Sequence, residues 1–181
     1  MLDTLTFITG NKAKAAQVSR HFTFPLTHKK LDLPEIQSLE LSEIVKYKAQ
    51  EAYRQLKSPI LVEDTSLTFQ AMGKLPGTLI KWFLQELGNE GLCRELDRFE
   101  DRSAIAEVTF GLHDGQNVIL FNSQIHGSIA SEPRGPHIFG WDPIFIPIGQ
   151  QKTWAEMSME EQDRTSMRKV ALLKLEEYLQ L

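Results

Sequence analysis

Apolar positions along the chain fall into short β-prone runs and longer helical stripes, divided by glycine, proline and Asx-rich turns. Leu5–Thr9 (LTFIT) is a β-prone run that breaks at Gly10-Asn11. The segment that follows, Lys12–Phe22, carries Ala13, Ala16, Val18 and Phe22 and reads as a helix. Phe24–Leu33 is expected as a second strand, closed by Pro34. Leu41, Ile44, Val45, Ala49, Ala52, Tyr53 and Leu56 recur at helical spacing and predict a helix over 41–56. Pro59 then opens a compact strand, Ile60-Leu61-Val62, expected to end on the carboxylate pair Glu63-Asp64. Leu75-Pro76-Gly77 reads as a turn. Ile80–Leu87 and Gly91–Leu96 read as two short helices divided by Gly88-Asn89. Ala104–Leu112 and Val118–Ile129 are β-rich and flank Asp114-Gly115, a hairpin signal. Ser158-Met159-Glu160-Glu161 fits a capping box and is expected to open a C-terminal helix running to about Leu179. The alternation implies an α/β fold with a mixed sheet. No repeat or linker suggests a cut, so 1–181 is read as one domain.

Composition narrows the function classes. A chain of 181 residues suits one domain or a compact two-lobed body. With 20 Lys+Arg against 24 Asp+Glu the formal charge is −4, which argues against a general nucleic-acid partner. The single Cys93 excludes an intramolecular disulfide and a multi-cysteine zinc site. No stretch approaches the ~20 apolar residues that span a bilayer, and Met1-Leu2-Asp3 lacks signal-peptide character. The expectation is a soluble, cytoplasmic protein with no membrane partner.

Two segments suggest chemistry. In Thr9-Gly10-Asn11-Lys12-Ala13-Lys14, a glycine admits close approach of a ligand, the helix start offers N–H groups, and Lys14 reaches the same anion. An ordinary strand-to-helix turn with solvated lysines fits the same residues. Adjacent Glu63 and Asp64 repel unless solvated, paired with a cation side chain or bound to a metal. Placed at a strand's carboxyl end they sit where open α/β sheets bind ligands, and Mg²⁺ accepts one or two carboxylates plus phosphate oxygens. A solvent-facing acidic turn is the alternative. Glu35 is a candidate second acid or an exposed loop residue, and Lys48, in a helix that also carries Lys46, reads as lying on a solvated face. Phe139-Gly140-Trp141-Asp142-Pro143 either stacks on a base and bonds its edge, or is a rigid turn packed by its own aromatics. Cys93 reads as a buried thiol, and the five histidines show no metal spacing.

Taken in order, several segments resemble the inosine triphosphate pyrophosphatase (Ham1/RdgB-like) family. They are Thr9-Gly10-Asn11 with Lys14, Leu33-Pro34-Glu35-Ile36-Gln37, Lys48-Ala49 and Leu61-Val62-Glu63-Asp64-Thr65. Leu75-Pro76-Gly77, Ile80-Lys81-Trp82-Phe83, Asn89-Glu90-Gly91-Leu92, Phe139-Gly140-Trp141-Asp142-Pro143 and Ala155-Glu156-Met157 follow. The resemblance covers almost the whole chain. It implies a two-lobed α/β body with a long central mixed sheet and the active site in the cleft between lobes. It also implies a homodimer and a Mg²⁺-dependent hydrolase that turns ITP, dITP and XTP into monophosphate plus pyrophosphate.

By the same resemblance Thr9, Gly10, Asn11 and Lys14 would hold the triphosphate. Glu35 and Asp64 would bind Mg²⁺, with Glu63 and Thr65 beside them. Asp64 would accept the proton of the attacking water, with Glu63 and Lys14 in the catalytic group. Lys48 and Lys81 would contact the substrate. Phe139 would stack on the base, with Gly140, Trp141 and Asp142 completing that end. The family's lysine followed by Ser-His-Arg is replaced here by Gln162 and Ser166-Met167-Arg168. Ser166 and Arg168 are kept, so the resemblance implies that a donor for a 6-oxo group of the base remains, but methionine cannot bond a base as imidazole does, and a relaxed or shifted base preference is expected. A nucleotide-binding protein with little turnover is the reading from another class. A Maf-type pyrophosphatase is disfavoured, because its Ser-x-Ser-Pro-Arg-Arg opening is missing.

Overall fold

The computed structural model describes residues 4–137 and 139–180. Its first strand, β1 (Leu5–Ile8), buries Leu5, Phe7 and Ile8, then breaks at the Thr9-Gly10 turn into helix α1 (Lys12–His21). The second strand, β2, is shorter than expected: it covers Leu26–Lys29 rather than 24–33. The limit is its partner, because the four residues of β1 pair in parallel with Leu26–Lys29 and offer nothing further.

Helix α2 (Leu41–Leu56) has the bounds its periodicity predicted. It buries Leu41, Val45, Ala49 and Ala52 in one cluster with Ile8, Ile60 and Val62. Small residues at 49 and 52 let the helix lie close to its strands.

Strand β3 (Ile60–Phe69) corrects the sequence reading. It does not end at Glu63-Asp64 but continues through both acids to Phe69. Thr65, Thr68 and Phe69 are β-prone, and Ser66, Leu67 and Phe69 are buried, so the acids interrupt the apolar run without ending the strand. Its parallel pairing with β1, however, stops at Ile8 and Val62. The two carboxylates therefore follow the carboxyl end of the parallel β1–β3 pair.

Pro76–Gly77, read as a turn, forms a two-residue strand, β4, antiparallel to Leu67 and Thr68. Helix α3 (Ile80–Glu95) contains the expected division, since Gly88 has φ 67° and ψ 179° within it. The hairpin is present as β5 (Ser103–His113) and β6 (Val118–Ile129), with Asp114 Oδ1 accepting from Gln116 and Asn117 N–H groups. A short strand not foreseen, β7 (Phe145–Pro147), pairs antiparallel with Gly127–Ile129. Among the described residues seven strands make one mixed sheet in the order β2-β1-β3-β5-β6-β7, with β4 on β3.

The single C-terminal helix expected from Ser158 is two. Helix α4 (Met159–Arg164) starts on the Ser158–Glu161 capping box, and α5 (Met167–Leu179) follows after a break at Thr165-Ser166. The Thr165 hydroxyl donates to the Glu161 and Gln162 carbonyls and accepts the Trp154 indole N–H at 2.9 Å, which favours a break there.

The contacts group the chain into two compact units. The first comprises the chain up to Thr65, Val108–Ser123 and the chain from Arg168; the second comprises Ser66–Glu107 and Gln124–Met167. Among the described residues, no helix is long and apolar enough to cross a membrane.

Candidate active site

The first unit gathers five charged side chains beyond the β1–β3 pair. Lys14, in the first turn of α1, places Nζ 3.3 Å from Glu63 Oε1 and 3.9 Å from Asp64 Oδ1. Lys48, on α2, places Nζ 3.4 Å from Asp64 Oδ2 and donates to the Glu63 carbonyl at 3.3 Å. Arg168, in the first turn of α5, grips Glu63 through Nε and Nη2, the latter at 3.0 Å from Oε1. Its Nη1 donates to Gln17 Oε1 at 2.9 Å.

The two acids differ in environment. The Glu63 side chain is 1% exposed and that of Asp64 33% exposed. Burial pushes the Glu63 carboxyl up, but Arg168 and Lys14 outweigh it and hold the group below its ordinary range. For Asp64, burial is likewise outweighed by Lys14 and Lys48, and the Thr65 N–H donating to Oδ1 at 3.0 Å adds to them. Both are carboxylates at neutral pH, one locked inside and one facing out.

The opening turn is more self-contained than its sequence suggests. Asn11 caps α1, its Oδ1 accepting from the Ala13 and Lys14 N–H groups at 3.0 and 3.1 Å. The Asn11 N–H in turn donates to Thr9 Oγ1. Two of the helix-start donors expected for an anion are therefore taken by Asn11. Gly10 is exposed, and the atoms nearest to a Cβ built there belong to the flexible Lys30 side chain, at 3.4 Å and beyond. The fold itself does not require glycine at this position.

Glu35 sits in the irregular stretch between β2 and α2 and is exposed. Among the described residues, no group of three or more His, Cys, Asp or Glu side chains is arranged to hold a metal. The donor chemistry still suits Mg²⁺, which needs only one or two carboxylates when phosphate and water complete its shell. Asp64 supplies an ionised, outward-facing carboxylate of that kind.

In the second unit, Lys81 is exposed with Nζ 5.0 Å from the Trp82 ring centroid. Trp141 is a packing residue: it is buried, 5.9 Å from Phe145 and 5.5 Å from Trp154 between centroids. Phe139 and Asp142 are half-buried, and Asn89 Nδ2 donates to the Gly140 carbonyl at 3.1 Å. Gln162 Nε2 donates to the Trp154 carbonyl at 2.7 Å. Ser166 is half-buried, and Met167 is buried at 2% exposure.

Gln17 escaped the sequence reading. Its one sequence signal is its place three residues after Lys14, on the same face of α1.

Residues 5–178 match the model of the Ham1 family. The chain belongs to the Ham1 family. Its structure is similar to that of a Ham1 protein from Coxiella burnetii, with a TM-score of 0.86, 26% identity and 99% of each chain covered. It is also similar to a nucleoside-triphosphatase / dITP/XTP pyrophosphatase from Mycobacterium abscessus, with a TM-score of 0.75 and 26% identity over 95% of this chain and 98% of that one. The Ham1 protein of Staphylococcus aureus shares the fold, with a TM-score of 0.85 and 23% identity over 98% of both chains. The Ham1 membership covers the segments that hold Lys14, Lys48, Glu63, Asp64 and Arg168.

Proposed function

We propose that this Ham1-family chain is a nucleoside-triphosphate pyrophosphatase. It converts deaminated purine nucleotides (ITP, dITP, XTP) to the monophosphate plus pyrophosphate, so keeping them out of nucleic acid. The observation that carries the reading is the cluster of Lys14 and Lys48 around the outward-facing Asp64 carboxylate, just beyond the parallel β1–β3 pair. Open α/β sheets bind ligands at that end of their strands.

In this reading the triphosphate enters between the two lysines and draws their ammonium groups from Asp64 to its own oxygens. Thr9, Gly10 and Asn11 line its approach; a glycine that packing does not demand leaves room for a phosphate beside the backbone. Oδ1 of Asp64 stays held by the Thr65 N–H, so Oδ2, released from Lys48, takes the proton of the attacking water. Attack at the α-phosphorus releases pyrophosphate in one step. Glu35 and Asp64 would hold Mg²⁺, which when bound offsets phosphate charge and stabilises the departing pyrophosphate. Lys81 is assigned to substrate binding, as the family resemblance implies. The chain acts as one catalytic domain, cytoplasmic and homodimeric.

The base end rests on Phe139 as stacking partner, with Gly140, Asp142 and Gln162 forming its surroundings and Trp141 supporting them by packing against Phe145 and Trp154. Ser166 is the hydroxyl left there to bond the base. The buried Met167 offers no donor, and this favours a weaker preference for ITP and XTP over GTP and ATP. One lost polar contact corresponds to about 1–3 kcal/mol, or roughly ten- to hundredfold in discrimination. The test is pyrophosphate release at alkaline pH with Mg²⁺ across ITP, dITP, XTP, GTP and ATP, for the native chain and Met167→His. Release from ITP and XTP, with a ranking sharpened by the histidine, is the expected result. Absence of release from every nucleotide would leave a binding protein in place of an enzyme.

A further inference from the structure

The Ser166-Met167-Arg168 triplet retains an arginine where the resemblance leads one to expect a base-reading group, yet that arginine is engaged at the phosphate end. We propose that Arg168 is a positioning residue: it holds Glu63, and through Glu63 it sets Lys14 for the triphosphate, with no part in reading the base. The inference rests on the pyrophosphatase reading and deepens it.

The geometry is specific. Arg168 Nε lies 3.2 and 3.3 Å from the two Glu63 oxygens, and Nη2 lies 3.0 Å from Oε1. Gln17 Oε1 accepts from Nη1 at 2.9 Å, so all three guanidinium nitrogens are bonded within the first unit. The arginine side chain is 9% exposed and its partner 1%. Glu63 Oε1 is shared: Lys14 Nζ stands 3.3 Å from it on one side while Arg168 holds it on the other. Gln17 and Lys14 lie on one face of α1, so Arg168 ties α5 both to the helix that carries Lys14 and to the acid that holds it.

Charge counting shows what the arrangement achieves. Lys14, Lys48 and Arg168 surround the two carboxylates Glu63 and Asp64, leaving a surplus of one positive charge for an incoming polyanion. Arg168 satisfies the buried Glu63, so the ammonium of Lys14 is shared loosely between Glu63 at 3.3 Å and Asp64 at 3.9 Å. Without Arg168 the surplus disappears. A buried carboxylate deprived of its guanidinium then draws Lys14 inward, because an uncompensated interior charge is costly. The lysine is lost to the phosphates although nothing near the base has changed.

The experiment compares native protein, Arg168→Met, Arg168→Lys and Gln17→Met in two assays. One is pyrophosphate release from ITP, GTP and ATP; the other is calorimetric affinity for inorganic triphosphate, which has no base. Arg168→Met is expected to lower kcat/KM about ten- to hundredfold on all three nucleotides alike, since small displacements at a reacting centre act on that scale. The ranking stays within twofold, triphosphate affinity falls, and Arg168→Lys recovers part of both. Gln17→Met, which keeps the ion pair, shows a smaller loss in the same direction and serves if Arg168→Met does not fold. A loss confined to the 6-oxo nucleotides ITP and GTP, with triphosphate affinity unchanged in Arg168→Lys and Gln17→Met, would overturn the proposal and return Arg168 to the base. Native protein that binds inorganic triphosphate but hydrolyses no nucleotide refutes the enzyme reading alone, and the affinity series still decides Arg168. Native protein that neither hydrolyses nor binds refutes both.

Discussion

Replacing Gly111 by alanine should damage the support of the site without touching it. Gly111 lies in β5 against α2, and a Cβ built there would stand 2.8 Å from Val45 Cγ1, 3.2 Å from Val62 Cγ2 and 3.5 Å from the Ala49 methyl. Val45 and Ala49 belong to the helix that carries Lys48, and Val62 precedes the Glu63-Asp64 pair. Overpacking of a close-packed core costs about 1–3 kcal/mol. Removing a glycine returns about 0.4–1 kcal/mol by restricting the unfolded chain. The net expectation is destabilisation by up to about 2.6 kcal/mol, the difference of those two ranges. Val45→Ala alone removes the colliding methyl and one more, losing about 1.6 kcal/mol at ~0.8 per buried carbon, plus a cavity cost. Combined, the new methyl occupies part of the vacated space, so the pair should couple favourably by about 1 kcal/mol or more. Denaturant unfolding of the four proteins measures the cycle. Strict additivity would refute the claim that glycine at 111 is dictated by α2, as would a stabilised Gly111→Ala.

Three further outcomes follow from local chemistry. His113 stacks on Tyr53 with centroids 3.8 Å apart, its Nδ1 accepts from the Gly115 N–H at 3.2 Å, and burial holds its pKa below the ordinary 6.5. The unfolded chain therefore takes the proton first, so the stability advantage of native protein over His113→Gln should shrink as pH falls from 7.5 to 5; parallel profiles would contradict this. Burial raises the Cys93 thiol to about 11, so a disulfide reagent at pH 8 should label it only after denaturation, and rapid labelling of native protein would show the site is open. Lys48→Met should raise KM for every nucleotide by about tenfold, the scale of one charge-assisted contact, and an unchanged KM would remove Lys48 from the phosphate site.

The residues that were legible in sequence are those whose roles are local. Helix α2 is visible because Leu41, Val45, Ala49 and Ala52 form one apolar stripe, and the hairpin because Asp114-Gly115 marks its own turn. Strand β3 reads shorter in sequence than it is because polar Glu63, Asp64 and Thr65 look like an end, although the backbone runs on beneath them. Two helices stand in place of one because Thr165 bonds preceding carbonyls, a choice that periodicity does not record. The carboxylates show by their adjacency, whereas the contacts of Arg168 with Glu63 and of Gln17 with Arg168 leave no local mark. Arg168 and Glu63 are 105 residues apart, and Gln17 lies 151 residues from Arg168, so only the folded chain could join them. Trp141 could be either stacking surface or packing in sequence, and its burial against Phe145 and Trp154 makes it packing.

The most direct test of the central claim is ITP turnover with Mg²⁺ in ¹⁸O-labelled water, for native protein and Asp64→Asn, with both products analysed. Attack at the α-phosphorus by a water that gives its proton to Asp64 predicts one pyrophosphate per monophosphate. The label should lie in the monophosphate, and the reaction should be lost in the variant. Label in pyrophosphate, release of orthophosphate, or undiminished turnover by Asp64→Asn would contradict the account.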